Sequence, residues 1–365
     1  VDSRISHIHQ SLVRLIGPYF HLGALLVLVG GTKALGGSKR IALVPVALFV
    51  FTPALLVFVG SASTGYVDFP LAALYLCAAV LAIVCWRAPA LDRLRLLGIT
   101  AMFLPWAKSD GSLLLLCIAA AMLPLAISER RWAPILWAAI PGLGVVAGWR
   151  VFLELVRAAP NTDFSPLSLQ TALGNANRAP QIIEWAVVEF GDWSRWSLLW
   201  LMVGPGFVYL AYLAVRARTV AWKPWIALVL GPLAIYQGIF VFSTWSVEAH
   251  VKSTLPRLVL HVAPAAILFT GFLCLETTRR ATAAAAPKPA GRRSDAAFAG
   301  AASGKSPGTQ DNGAENTQRL IERAAEILAP LGLTAADLHE FYEERGARRN
   351  SATSGHPKEG RGSFQ

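Results

Sequence analysis

The chain has 365 residues, of which 55% are hydrophobic and only 15% charged, with 12 Trp and a mean hydropathy of +0.49, a combination that soluble domains rarely reach. A formal charge of +11 would suggest a nucleic-acid partner in a soluble protein. Here the cations are shared out among short loops between apolar runs, which excludes that partner and leaves an all-α polytopic membrane helix bundle.

Apolar runs of about 18 to 25 residues are each long enough to cross roughly 30 Å of hydrocarbon as a helix. In chain order the predicted spans are Leu12–Thr32, Ile41–Gly60, Phe69–Trp86, Leu94–Ala107, Leu113–Ser128, Trp132–Leu155, Ser197–Val215, Pro224–Phe242 and Leu258–Leu275, nine in all. Alternate loops carry Lys33, Lys39 and Arg40, then Arg87, Arg93 and Arg95, Arg130 and Arg131, Arg216, Arg218 and Lys223, and finally Arg279 and Arg280. By the positive-inside rule these loops are cytoplasmic, so Val1 is expected outside and the C-terminal tail inside a multi-pass plasma-membrane protein. The chain opens on Val1 with no basic n-region or cleavage pattern, and a further span with its loop is expected upstream. The four cysteines, Cys77, Cys85, Cys117 and Cys274, all fall inside spans as free thiols.

Residues 1–276 are therefore read as the transmembrane domain. Residues 277–316 turn to Ala, Pro, Gly and Ser and are expected to be a disordered linker. Residues 317–346 carry helical spacing at Leu320, Ile321, Ala324, Ile327 and Leu328, broken at Pro330 and Gly332, and predict a short helical hairpin. Residues 347–365 are expected to be a disordered tail. Between the sixth and seventh spans, Ile182, Ile183, Trp185, Ala186, Val187 and Phe190 predict an amphipathic helix at the membrane interface.

The informative residues lie on the face opposite the basic loops. "STGYVDFP" brings Tyr66 and Asp68, "WAKSDG" brings Lys108, Ser109 and Asp110, and "STWSVEAHVKSTLPR" brings Glu248, His250, Lys252 and Arg257. Each has a plain structural explanation: Asp68 and Asp110 as helix caps, Lys108 and Arg257 as interfacial anchors, His261 inside the last span as a donor to a neighbouring carbonyl. Arg150 and Glu154, four apart on the sixth span, suit a local ion pair. Three separate segments nevertheless deliver carboxylates and cations to one face of a chain that otherwise keeps its cations on the other.

These segments carry a resemblance. "GYVDFPLAALYL" is similar to the Gly-Tyr-Ala-Asp-x-Pro-Leu-Ala segment of family 39 membrane glycosyltransferases, which include protein O-mannosyltransferases and lipid A aminoarabinose transferases. "FLPWAKSDGSLLLL" resembles that family's Leu-Thr-Lys-Asn-Glu-Gly segment, departing from it at Ser109 and Asp110, and "STLPRLVLHVAPAAILF" resembles its Ser-x-x-Arg-Leu segment with a later Pro. The resemblance covers about residues 10 to 276. It implies a C-type glycosyltransferase fold, a polyprenyl-phosphate sugar donor and transfer to a glycan, lipid or protein acceptor on the non-cytoplasmic face. Lys108, Lys252, Arg257 and His261 are then expected at the donor phosphate. Tyr66, Asp68, Asp110, Glu248 and His250 are expected around the acceptor cavity, and the main catalytic acid is expected upstream of Val1. No ligand spacing compels a metal, although paired carboxylates leave room for a divalent cation. A transporter or lipid flippase is the competing class, and a scaffold displaying its tail a third.

Overall fold

The computed structural model describes residues 3–61, 67–159, 163–217 and 223–285. The chain divides into two compact units, Val1–Ala286 and Pro287–Gln365. Everything below concerns the first; the expected hairpin over 317–346 lies outside the described residues, as does Tyr66.

The unit is all-helical, with no strand among the described residues. In order it comprises α1 (Ser3–Ala34), α2 (Lys39–Val50), α3 (Pro53–Ser61), α4 (Asp68–Arg87), α5 (Leu91–Ala107), α6 (Gly111–Glu129), α7 (Ala133–Leu155), α8 (Leu169–Gly174), α9 (Ala179–Phe190), α10 (Trp193–Trp196), α11 (Leu199–Ala217), α12 (Lys223–Trp225), α13 (Gly231–Phe240) and α14 (Val247–Ala285). A π-helical turn, Ile226–Leu230, makes α12 and α13 one continuous rod. Among the described residues, six helical stretches are long and apolar enough to cross a membrane: Leu15–Ala34, Asp68–Arg87, Gly111–Glu129, Ala133–Leu155, Lys223–Phe240 and Val247–Thr282.

The other three expected spans take shorter forms. The second is split into α2 and α3, because Pro53 has no N–H to continue the helix and instead starts a new one. The fourth is α5, of 17 residues, with Asp92, Arg93 and Arg95 in its first turns. The seventh is apolar over Leu199–Val215. The last helix is longer than expected at both ends. It begins at Val247, eleven residues before Leu258, so His250, Lys252 and Arg257 sit on a helix and not in a loop. It also runs through Ala285, past the expected boundary at 276, since Thr277–Ala285 is rich in Ala, the best helix former.

Helix α14 is the axis of the bundle, buried on nearly all sides from Leu258 to Leu275, and α4 packs along it with α1, α2, α11 and α13 around them. Helix α5 continues the layer from α4 to α7, whose side chains face mostly outward. Small residues allow the closest approaches. Gly111, at the turn between α5 and α6, is the extreme case: a Cβ there would lie 1.9 Å from the Leu104 carbonyl oxygen, a backbone atom that cannot move aside.

Gly111→Ala is accordingly expected to cost about 1–3 kcal/mol by overpacking, read as a lower melting temperature in detergent. Gly144→Ala, on α7 with no neighbouring atom within 4 Å of the new methyl, should not lower the melting temperature, since Ala favours the helix over Gly.

Candidate functional site

The α5–α6 turn and the start of α4 meet the Arg257–His261 stretch of α14, about three turns into that helix. Asp68 is the first residue of α4, the position of an expected cap, yet no side chain caps that helix and the carboxylate has no exposed surface. It is occupied by three donors from elsewhere. Lys108 Nζ donates to Oδ1 at 2.7 Å, His261 Nε2 to the same oxygen at 3.0 Å, and Arg257 Nε to Oδ2 at 2.9 Å. Asp110 likewise sits at the N-cap of α6 without capping it, and accepts from Lys108 Nζ at 2.7 Å.

Local folding explains each arrival. Lys108 ends α5 in an extended conformation (φ −162, ψ 152), which swings its side chain out of the helix toward α4. The tight Lys108–Gly111 turn returns the chain into α6 and keeps Asp110 beside the same ammonium. Arg257 and His261 are four apart on α14, hence on one face, and both meet Asp68. The ring of His261 is fixed by its two partners: Nε2–H donates to the carboxylate, and Nδ1 accepts from the Tyr236 hydroxyl at 3.2 Å. Tyr236, on α13, is thereby the fifth residue around the buried acid.

Charge in this cluster balances, two carboxylates against two cations, with the neutral His261 N–H completing the shell of Asp68 and the Tyr236 hydroxyl supporting that ring. Its layers differ in access. Asp68 and His261 have side chains with 0% exposure, whereas Lys108 shows 23%, Asp110 27% and Arg257 34%. The cations therefore form a rim over a buried acid that holds them in place. Asp68 positions them and does not itself reach a bound molecule.

The remaining expected residues go elsewhere. Glu248 and Lys252 form an exposed i,i+4 pair at 2.5 Å, and the Lys252 ammonium lies 4.3 Å from the Trp185 ring of α9. Five residues separate Lys252 from Arg257, about 140° around a helix, so the two cannot share a face. His250 is buried and accepts a hydrogen bond at Nδ1 from Ser243 Oγ at 2.5 Å, among the rings of Phe164, Phe240 and Trp245. Ser243 also accepts from the Trp245 N–H, and its carbonyl accepts from Arg178, so this group pins the loop before α14. The expected amphipathic helix is α9, with Ile182 and Ala186 buried and Ile183 and Val187 exposed. Arg150 and Glu154 are both exposed and, among the described residues, do not pair with one another; Arg preceding Glu at i,i+4 is the weaker orientation. Among the described residues no three His, Cys, Asp or Glu side chains are grouped to hold a metal ion.

Tyr236 was missed by sequence reasoning. Its signal was the Tyr236–Gln237 polar pair within an otherwise apolar span. A second Tyr, Tyr75, is fully buried and donates at 2.7 Å to the Leu228 carbonyl in the π-turn.

Asp68 caps no helix, so Asp68→Asn tests the charge alone while keeping the side chain's shape. With two cations and a histidine left facing a neutral amide, it is expected to destabilise the protein by about 3 kcal/mol, the lower part of the range for breaking buried pairs because the rim cations are partly solvated. Asp110→Asn, partly exposed with one cationic partner, should cost about 1 kcal/mol or less. Melting curves in detergent check both; equal effects would remove Asp68 from the centre of the network.

Comparisons with protein-family models, with curated proteins and with solved structures found no match, so the residues and their geometry are what a function has to be argued from.

Proposed function

We propose that the chain is a membrane glycosyltransferase that moves a sugar from a polyprenyl-phosphate donor to an acceptor on the non-cytoplasmic face of the plasma membrane. One observation carries the reading: the segments "GYVDFP", "WAKSDG" and "STLPR", each similar to family 39 glycosyltransferases, supply Asp68, Lys108, Asp110 and Arg257 to a single charge cluster at one end of the bundle. In this reading α2 with α3, α5 and α11 join the six long helices to make nine spans, and the C-terminal tail is cytoplasmic.

The chemistry needs positive charge where the leaving group departs. The acceptor oxygen attacks the anomeric carbon, a new C–O bond forms, and the bond from that carbon to the phosphate oxygen breaks with its electron pair passing to the phosphate. Lys108 and Arg257, partly exposed at the rim, neutralise that phosphate through charge-assisted hydrogen bonds. Asp68 holds both cations at fixed separation, and His261 and Tyr236 hold Asp68, so little reorganisation is required when the charge develops. The acceptor's proton passes to a general base, a role this reading assigns to none of the five residues of the cluster. A transporter would place its ionisable groups near the middle of its spans; this cluster lies at the first turns of α4 and α6 instead.

Lys108→Gln and Arg257→Gln are each expected to raise the apparent KM for the polyprenyl-phosphate sugar about tenfold or more, per mole of folded protein, since a charge-assisted contact contributes roughly 1.5–3 kcal/mol. Unchanged donor dependence in both variants would leave them as anchors only, and absence of any transfer by the wild type would end the transferase reading.

Sidedness has its own test. A cysteine at exposed Ser253 should react with a membrane-impermeant thiol reagent in intact cells, while one at exposed Lys39 should not. The opposite pattern would put the cluster on the cytoplasmic face.

A further inference from the structure

At the other end of α4 the C-termini of α1, α4 and α14 come together around a different problem. The last carbonyls of a helix have no partner within it. One of them, the Leu35 oxygen just beyond α1, accepts from two guanidiniums: Arg87 Nη1 at 2.5 Å and Arg279 Nη2 at 2.9 Å. Gly36, in the left-handed region at φ +79, leaves the approach open, since a Cβ there would lie 2.5 Å from Arg279 Nη2.

Two like charges are thus held against one neutral oxygen. No carboxylate lies within ion-pair distance of either among the described residues: Glu276 pairs with Arg280 at 2.8 Å and Asp92 with Arg95 at 3.5 Å. Other cations at this end, Lys33, Lys39, Arg40 and Arg93 among them, are exposed, and Arg93 donates to the Ala88 carbonyl. Each guanidinium carries five N–H donors and spends one on Leu35. Glu276, near enough to act on Arg87 electrostatically, is taken up by Arg280, so among the described residues no carboxylate is hydrogen-bonded to either guanidinium, and a forked pair of arginines matches the oxygens of a phosphate.

Depth identifies the source of that phosphate. Arg87 is the last residue of a membrane-length apolar helix, and Leu35 immediately follows another. The pair therefore sits where hydrocarbon gives way to headgroups. With no free carboxylate nearby to receive an ammonium headgroup, net negative lipids are favoured over zwitterionic ones.

We infer that Arg87 and Arg279 form a binding site for the headgroup phosphate of an anionic phospholipid. The site is independent of the transferase reading, needing only that the bundle spans a membrane.

The test uses the purified protein in nanodiscs of phosphatidylcholine with and without phosphatidylglycerol. Phosphatidylglycerol is expected to raise the melting temperature of the wild type, and Arg87→Gln/Arg279→Gln to weaken its apparent affinity about tenfold or more. Lys39→Gln/Arg40→Gln removes two exposed cations from the same end and should keep the full response. If the double arginine variant does not fold in phosphatidylcholine, Arg279→Gln alone, which leaves Arg87 on the Leu35 carbonyl, is read in its place. An undiminished response in the arginine variant, or an equal loss in the lysine–arginine control, would reduce the effect to diffuse surface charge and overturn the site. An equal rise with inorganic phosphate in pure phosphatidylcholine would assign the pair to a soluble anion and overturn the lipid.

Discussion

A carboxylate with no exposed surface sets the terms for one end of this bundle. Asp68 cannot stay ionised at the mouth of an apolar helix unless other elements bring donors to it, and the donors come from α5, α13 by way of His261, and α14. Satisfying one buried charge thereby ties four helices together at defined positions. It also settles where the rim cations stand. Lys108 and Arg257 are long, flexible side chains that would otherwise wander over the headgroup layer; anchored by a fixed acid, they keep a constant separation.

Elsewhere the molecule meets the same demand with backbone. In an apolar surrounding every N–H and C=O has to find a partner. The π-turn leaves the Leu228 carbonyl to Tyr75, and the unfinished end of α1 leaves the Leu35 carbonyl to Arg87 and Arg279. Both are long-range ties made from local irregularities. The two ends of α4 therefore have opposite characters. One is a balanced cluster of acids and bases, and the other sets two guanidiniums on one neutral oxygen.

The third polar segment shows how helix periodicity sorts residues that are neighbours in sequence. His250, Arg257 and His261 follow one another at seven and four residues and lie along one face of α14; two of them reach Asp68, while His250 pins the loop that precedes the helix. Glu248 and Lys252 lie around the corner, where the ammonium sits over Trp185 and fastens α9 to α14. A segment read as one polar break thus performs three separate tasks.

From the sequence alone the helical class, the membrane-length runs, the amphipathic character of α9 and the three polar segments were legible, because hydropathy and spacing are local properties. Asp68, Lys108, Asp110, Arg257 and His261 were recognisable as unusual for the same reason: charge and polarity inside or beside apolar runs stand out. Their partnership was not. Which oxygen meets which nitrogen depends on how α4, α5 and α14 pack, and the sequence separations involved, from 40 to 193 residues, carry no periodic signal. Tyr236 entered only through a contact across helices, and Lys252 and Glu248 left the cluster because α14 starts eleven residues earlier than hydropathy predicts, turning a presumed loop into a helix with distinct faces. Local chemistry marked the residues, and tertiary packing decided which of them act on one another.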